Sequence, residues 1–225
     1  MALSKRVQKE LEADFTVEQP TDKDREQLLT LLREGFVYEE PLNKAINLTW
    51  QDCEDYYQDQ VRECISNGTS VIVRETTNSV IVACALNKIA MTLERLVPEP
   101  ENGYSEKIIK MNNLIDLLRS AMTKALPIGS RYFEIITLCV HPKFYRKGLA
   151  RQATEKSVSL AIQWKCDYII SVASNIASQT LFSKLQFQDV TSIDLKTYKP
   201  DGTIMFPHTG NTKECKLMYR PAIVQ

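Results

Sequence analysis

The stretch ITLCVHPKFYRKGLARQATEKS, residues 136–157, decides the fold. Its apolar run stops at Val140, passes through His141-Pro142, gathers Arg146, Lys147 and Arg151 around Gly148 and Ala150, and resumes as helix-forming sequence. A strand that feeds a tight turn and then a helix aims the helix's first unpaired N–H groups, and the positive end of its dipole, at whatever lies over the turn. Here Arg146, Lys147, Gly148, Leu149, Ala150 and Arg151 supply those groups. Gly148 admits close approach to the backbone, Ala150 adds little bulk, and the cations add positive charge. The pattern fits a pyrophosphate; it also fits a plain β–α turn with solvated cations, and the turn alone leaves both open. No G-x-x-x-x-G-K-[ST] occurs, and no G-x-G-x-x-G follows a predicted strand, which argues against a kinase-like or Rossmann site.

Working outward, apolar residues Leu149, Ala153, Leu160, Ala161 and Trp164 share one face of a predicted helix from Gly148 to Trp164. A strand from Phe133 to Val140 precedes it and a buried strand, Asp167 to Ala173, follows: a β-α-β unit. A short helix (177–184) and two strands (187–194 and 213–220) close the chain around a loop at 200–212. Upstream, DFTVEQPT (14–21) reads as a first strand. Thr21 to Asp24 offers a capping box to a helix ending near Tyr38. EEPLN reads as a loop, a second helix runs from Thr49 to the turn Asn67-Gly68, and TSVIVRETTNSVIVACALNKIA is a hairpin turning at Thr76 to Ser79. Residues 105–125 keep helical spacing until Pro127 and Gly129. The expectation is a single α/β domain over 1–225 with a mixed central sheet flanked by helices.

Composition narrows the function. The chain has 225 residues, 44% of them apolar, enough for a sizeable core, and its 28 Lys plus Arg balance 28 Asp plus Glu. No global field therefore argues for nucleic acid or an acidic membrane, and an anion site must be local. The segment MALSKRVQKELEADF lacks the apolar centre of a signal peptide, and no later run is long enough to span a bilayer, so a soluble, cytoplasmic protein is expected. Six widely spaced cysteines without a C-x-x-C pair read as reduced core residues. No metal is expected, and a monomer or weak dimer is.

The segment VHPKFYRKGLA resembles the acetyl-CoA signature R/Q-x-x-G-x-G/A of the GNAT superfamily of N-acetyltransferases. Gly148 and Ala150 match, and Tyr145 stands where the family has Arg or Gln. Downstream, SNIASQTLFSKLQF (174–187) is similar to the family's N-x-x-A-x-x-L-Y-x-K-L-G-F element. Asn175, Leu181, Lys184, Leu185 and Phe187 fit; Phe182 replaces the tyrosine and Gln186 the glycine. FVYEEPLN (36–43) resembles the start of the insect-type arylalkylamine N-acetyltransferases.

These resemblances imply direct transfer of acetyl from acetyl-CoA to a small arylalkylamine of the dopamine, octopamine, serotonin or tryptamine class. They imply Glu40, Ser174 and Ser178 as catalytic groups. The coenzyme positions they imply are Leu138, Cys139, Val140, the run Tyr145, Arg146, Lys147, Gly148, Leu149, Ala150, Arg151, and Asn175, with oxyanion donors around Cys139 and Val140.

The chemistry explains the demand for such groups. An alkylamine with a pKa of about 10.4 must lose a proton before it attacks, at roughly 4 to 5 kcal/mol near neutral pH. Glu40, directly or through a water, is a fitting base if burial raises its pKa, and Ser174 or Ser178 a fitting donor to the leaving thiolate. Plainer readings stand beside these: Glu40 as a solvated loop carboxylate, Ser174 as a helix cap, Ser178 as packing. Phe36, Tyr38 and Trp50 are candidates for an aryl pocket. His141 reads as a loop residue, His208 lies in a loop that would cover the amine, and Cys139 reads as buried strand rather than nucleophile. Polyamine, amino acid or protein N-terminal acceptors, and a non-catalytic acyl-CoA-binding module, are the alternatives.

Overall fold

The β-branched runs become strands β1 (Phe15–Glu18), β2 (Val71–Glu75), β3 (Ile81–Met91), β4 (Arg131–Val140), β5 (Tyr168–Ala173), β6 (Gln188–Asp194) and β7 (Glu214–Pro221). They form one sheet in the order β1-β2-β3-β4-β5-β7-β6. Only β4 and β5 pair in parallel; the other neighbours are antiparallel. The computed structural model describes residues 14–91 and 103–223, and the N-terminal stretch read for a leader falls almost wholly outside them.

Helices cover both faces of the sheet. They are α1 (Arg25–Leu32), α2 (Pro41–Ala45), α3 (Trp50–Ser66), α4 (Glu106–Arg119), α5 (Met122–Ala125), α6 (Leu149–Gln163) and α7 (Ile176–Lys184). The crossover from β4 through α6 to β5 is the unit expected from the opening stretch. Helix α6 buries Leu149, Ala153, Leu160 and Ala161 against Val71, Val73, Phe133 and Ile169 of the sheet. On the opposite face α1 and α3 pack Leu28, Leu32, Tyr57 and Val61 against Ile72, Cys84 and Leu86. Strand residues alternate between these two cores because successive side chains point to opposite faces.

Local chemistry sets the helix starts. Thr21 and Asp24 form the expected capping box, which opens a short 3₁₀ turn (Asp22–Asp24) before α1, and Thr49 with Asp52 caps α3 in the same way. Asp24 also receives Arg74 Nη2 at 2.6 Å, tying the turn to β2.

Four readings are corrected. EEPLN is not all loop: Pro41 opens α2, because a proline at the first helical position forfeits only an N–H that has no partner there. The helix before it does not stay α-helical to Tyr38 but widens into a π-helix over Arg33–Val37. The 105–125 helix is interrupted at Ser120-Ala121 and resumes as α5. Trp164 is not on the buried face of α6; it ends the helix and is 41% exposed.

All six cysteines are buried and free, as the spacing predicted. Among the described residues no helix is long and apolar enough to cross a membrane.

Candidate functional site

The site begins where β4 and β5 part. Their register covers only Tyr132↔Tyr168 to Glu134↔Ile170, although β4 runs on to Val140 and β5 to Ala173. One further link joins them, Ser171 Oγ donating to the Ile135 carbonyl at 2.9 Å. The opening has a cause in β4: its pairing with β3 shifts register between Leu86 and Asn87, which leaves Ile136 as the extra residue. A bulge of this kind bends the strand that carries it.

The parted strands expose main-chain donors. His141 N–H donates to the Val82 carbonyl on β3 at 2.8 Å. N–H directions alternate along a strand, so Cys139 N–H also faces β3, while those of Leu138 and Val140 face the opening. The oxyanion donors expected around Cys139 and Val140 therefore divide: Val140 N–H is available in the gap and Cys139 N–H is not. The Cys139 side chain lies in the core, its thiol held protonated by Cys84 and by burial.

Between the strands lies a cleft of about 810 Å³. Leu138, Val140, Tyr145, Gly148, Ala150 and Arg151 line one wall, and Ser174, Asn175, Ser178 and Phe182 line the other. Within the turn, Arg146 (φ +66°) and Gly148 (φ +78°) adopt left-handed backbone conformations. Gly148 is the N-cap of α6 and offers no side chain, so the first N–H groups of the helix go uncapped toward the cleft. Nothing in the protein lies within 4 Å of where a Gly148 Cβ would stand, so within this chain its φ, not crowding, calls for glycine. The side chain of Lys147 turns away: its ammonium stands 5.4 Å from the ring centres of Phe15 and Phe144. Arg151 stays exposed beside the cleft, paired with Glu155 at 2.8 Å.

This cleft adjoins a second cavity, narrow and more enclosed, of about 70 Å³. Phe36, Glu40, Ile136, Val172 and Ser174 line both. The lining of the narrow cavity includes the aromatics Phe36, Tyr56 and Tyr57, the aliphatics Ile108, Met111 and Ile115, and the charged pair Arg119 and Glu134, which does not border the broad cleft.

Glu40 is 6% exposed, so it is no solvated loop carboxylate. It caps α2, its Oε2 accepting from Asn43 N–H at 2.9 Å, while Oε1 is buried without a hydrogen bond of ordinary geometry. Burial pushes its pKa up to about 7, against the Asn43 N–H and the nearby Ser174 hydroxyl, which pull it down. A carboxyl poised there exchanges a proton readily at neutral pH.

A model of the acetyltransferase (GNAT) family matches residues 26–187. The chain belongs to this family. GNAT proteins use acetyl-CoA, and the parted β4–β5 pair, with uncapped N–H groups at the head of α6, suits its diphosphate. The fold is also that of arylalkylamine N-acetyltransferase 2 from Aedes aegypti, at 24% identity and a TM-score of 0.81 over 93% of this chain and 99% of that one. A mosquito arylalkylamine N-acetyltransferase-like 5b is 14% identical, with a TM-score of 0.81 over 92% and 99% of the two chains. A Drosophila melanogaster polyamine N-acetyltransferase that forms N-acetylagmatine is 16% identical, with a TM-score of 0.75 over 92% and 100%.

Several residues of this GNAT chain sit elsewhere than expected. Ser174 is not the cap of α7: Asn175 is, its Oδ1 accepting from Ala177 N–H at 2.8 Å. That use occupies the Asn175 oxygen at the cleft wall. Ser178 donates to the Asn175 carbonyl at 2.8 Å, so it must release that bond before donating elsewhere. Phe182 is buried, 4.9 Å from Phe187 between ring centres. Of the three aromatics read for an aryl pocket, Phe36 lines the narrow cavity. Tyr38 and Trp50 do not; Trp50 instead stacks on Tyr57 from outside at 6.1 Å. His141 caps a short 3₁₀ turn and lies 3.5 Å from Glu34, and the exposed His208 lines neither cavity.

Sequence reasoning missed Tyr56, Tyr57, Arg119 and Glu134. A helical face carrying adjacent tyrosines beside buried positions was a usable signal for the first two. Glu134, inside an apolar strand, was a signal for the last.

Proposed function

We propose that this GNAT protein is an arylalkylamine N-acetyltransferase that passes acetyl directly from acetyl-CoA to a primary amine held with it in a ternary complex. The observation that carries the reading is the position of Glu40 and Ser174 on the lining shared by the broad cleft and the narrow aromatic-lined cavity. A thioester laid along the cleft and an amine rising from the narrow cavity meet at that junction.

Each residue then has a task. The N–H groups at the head of α6 and the cation Arg151 hold the diphosphate, with Arg146 adding charge at the turn. Glu40 accepts the proton of the ammonium, and the freed nitrogen lone pair forms the new C–N bond. Val140 N–H stabilises negative charge on the carbonyl oxygen while that bond forms. As the C–S bond breaks, the thiolate takes a proton from Ser174 or Ser178, and the serine is restored by the second N–H proton, which the nitrogen sheds on becoming an amide. Phe182 has no hydroxyl, so that proton must come from elsewhere than the tyrosine position. Cys139 forms no acyl intermediate, since its thiol is buried and protonated.

The decisive experiment mixes the protein with acetyl-CoA and dopamine, octopamine, serotonin, tryptamine, histamine and polyamines, and follows release of free thiol. Turnover of aryl amines is expected; silence with every amine would overturn the proposal. The reading with a polyamine acceptor is favoured by the likeness to the Drosophila enzyme, and higher turnover of agmatine than of any aryl amine would establish it. A narrow, enclosed cavity argues against a protein N-terminus.

A further inference from the structure

We infer that the narrow cavity selects an amine carrying a neutral hydrogen-bond donor, a hydroxyl, at the end remote from its nitrogen, with Glu134 Oε2 as the acceptor. The inference rests on the function proposed above and names its substrate class more closely.

Two buried carboxylates line this one cavity, and they are not equivalent. Glu40 also lines the broad cleft, whereas Glu134, 1% exposed on β4, borders only the narrow cavity. Glu134 Oε1 accepts from Arg119 Nε at 2.7 Å and is ion-paired with Arg119 Nη2 at 2.7 Å. Its Oε2 accepts no hydrogen bond among the described residues; the Lys88 ammonium stands 3.6 Å away, an ion pair too long for a hydrogen bond. A buried acceptor left unmatched is unfavourable, and a ligand that brings a donor to it regains that loss. The carboxylate stays ionised, since Arg119 and Lys88 hold its pKa below the usual range.

The charge around Glu134 argues for a hydroxyl rather than a second cation. Arg119 also binds Asp116 at 2.9 Å, so Lys88 and Arg119 are balanced by Glu134 and Asp116. A guanidinium or ammonium entering there would lose its water beside Arg119 with no net opposite charge to meet it. A phenol or catechol brings a donor without that penalty, and its ring lies along Phe36, Tyr56 and Tyr57.

The test compares kcat/KM for tyramine and 2-phenylethylamine, which differ by one ring hydroxyl, with agmatine as the cationic control. The full chain and acetyl-CoA are used. Tyramine is expected to exceed 2-phenylethylamine by at least about tenfold, because a site that hydrogen-bonds a substrate hydroxyl rejects the analogue lacking it. Glu134→Gln should collapse that ratio; should this variant not fold, the wild-type ratio decides alone. Equal turnover of the two aryl amines, or agmatine exceeding tyramine, overturns the inference. Equal turnover leaves the arylalkylamine reading intact, whereas no turnover of any amine overturns both.

Discussion

Glu40 and Ser174, 134 positions apart in the chain, share one stretch of wall between two cavities, and the Ser174 hydroxyl bears on the Glu40 carboxyl. One arrives from the cap of a five-residue helix, the other from the end of β5. Neither element is part of the turn from Tyr145 to Arg151, yet both line the cleft that this turn borders.

The raised pKa of Glu40 makes a signed prediction for activity. With its carboxyl titrating at about 7 in the ligand-free protein, kcat/KM should fall as pH drops through that value, and Glu40→Gln should lower kcat/KM by about 10²- to 10⁴-fold and remove this limb. Coenzyme A binding, read by thermal shift, should be unaffected. Stability runs the other way. A folded pKa above the unfolded value of 4.5 means a contribution fully present below that pH and lost as pH rises through 7. At pH 8 the Gln variant should be the more stable by roughly 3 kcal/mol in urea unfolding.

Ser174 and Asn175 separate catalysis from capping. Asn175→Ala removes the acceptor for Ala177 N–H and should destabilise by about 1 kcal/mol. Ser174→Ala should change stability by no more than about 0.5 kcal/mol while reducing acetyl transfer at least about tenfold. A Ser174 variant with full activity would move the proton-donor role to Ser178.

Gly35 fixes the distance between the π-helix and the end of β4. An added Cβ would lie 3.1 Å from Cys139 Sγ, 3.3 Å from His141 Cα and 3.4 Å from the Val140 carbonyl oxygen. Two of those neighbours are backbone, one at Val140, the last residue of β4, and one at His141, which follows it. Gly35→Ala should destabilise by about 1 to 3 kcal/mol, despite the better helix propensity of alanine, and lower kcat more than it raises KM.

Gly148 tests the opposite case, conformation without crowding. Gly148→Ala meets open space but must hold φ at +78°, and should lose about 1 to 2 kcal/mol in thermal unfolding. Coenzyme A should stabilise the variant less than the wild type, because a turn relaxed from the left-handed conformation no longer aims the N–H groups of α6.

Much of this was legible because it is local. Capping at Thr21 and Thr49, the hairpin at Thr76 to Ser79 and the periodicity of α6 each lie within a few residues, where propensity and hydrogen bonding act directly. The helix at Pro41 was missed although its signal was present: a proline following a residue able to cap. The π-helix carried no readable signal, since a widened turn is chosen by what packs against it, here the β4 end against Gly35.

By itself the sequence determined the β-α-β unit and the turn at Gly148, because adjacency along a backbone fixes strand, turn and helix; Glu40, Ser174 and Ser178 became candidates only through the resemblance of short motifs to a family. Only the tertiary structure decided that Glu40 is buried at a cavity junction, that Cys139 N–H faces β3 and Val140 N–H the opening, and that Glu134 borders the narrow cavity with one oxygen ion-paired to Lys88 but without a hydrogen bond. Desolvation and strand register depend on neighbours far away in the chain, and no local pattern encodes them.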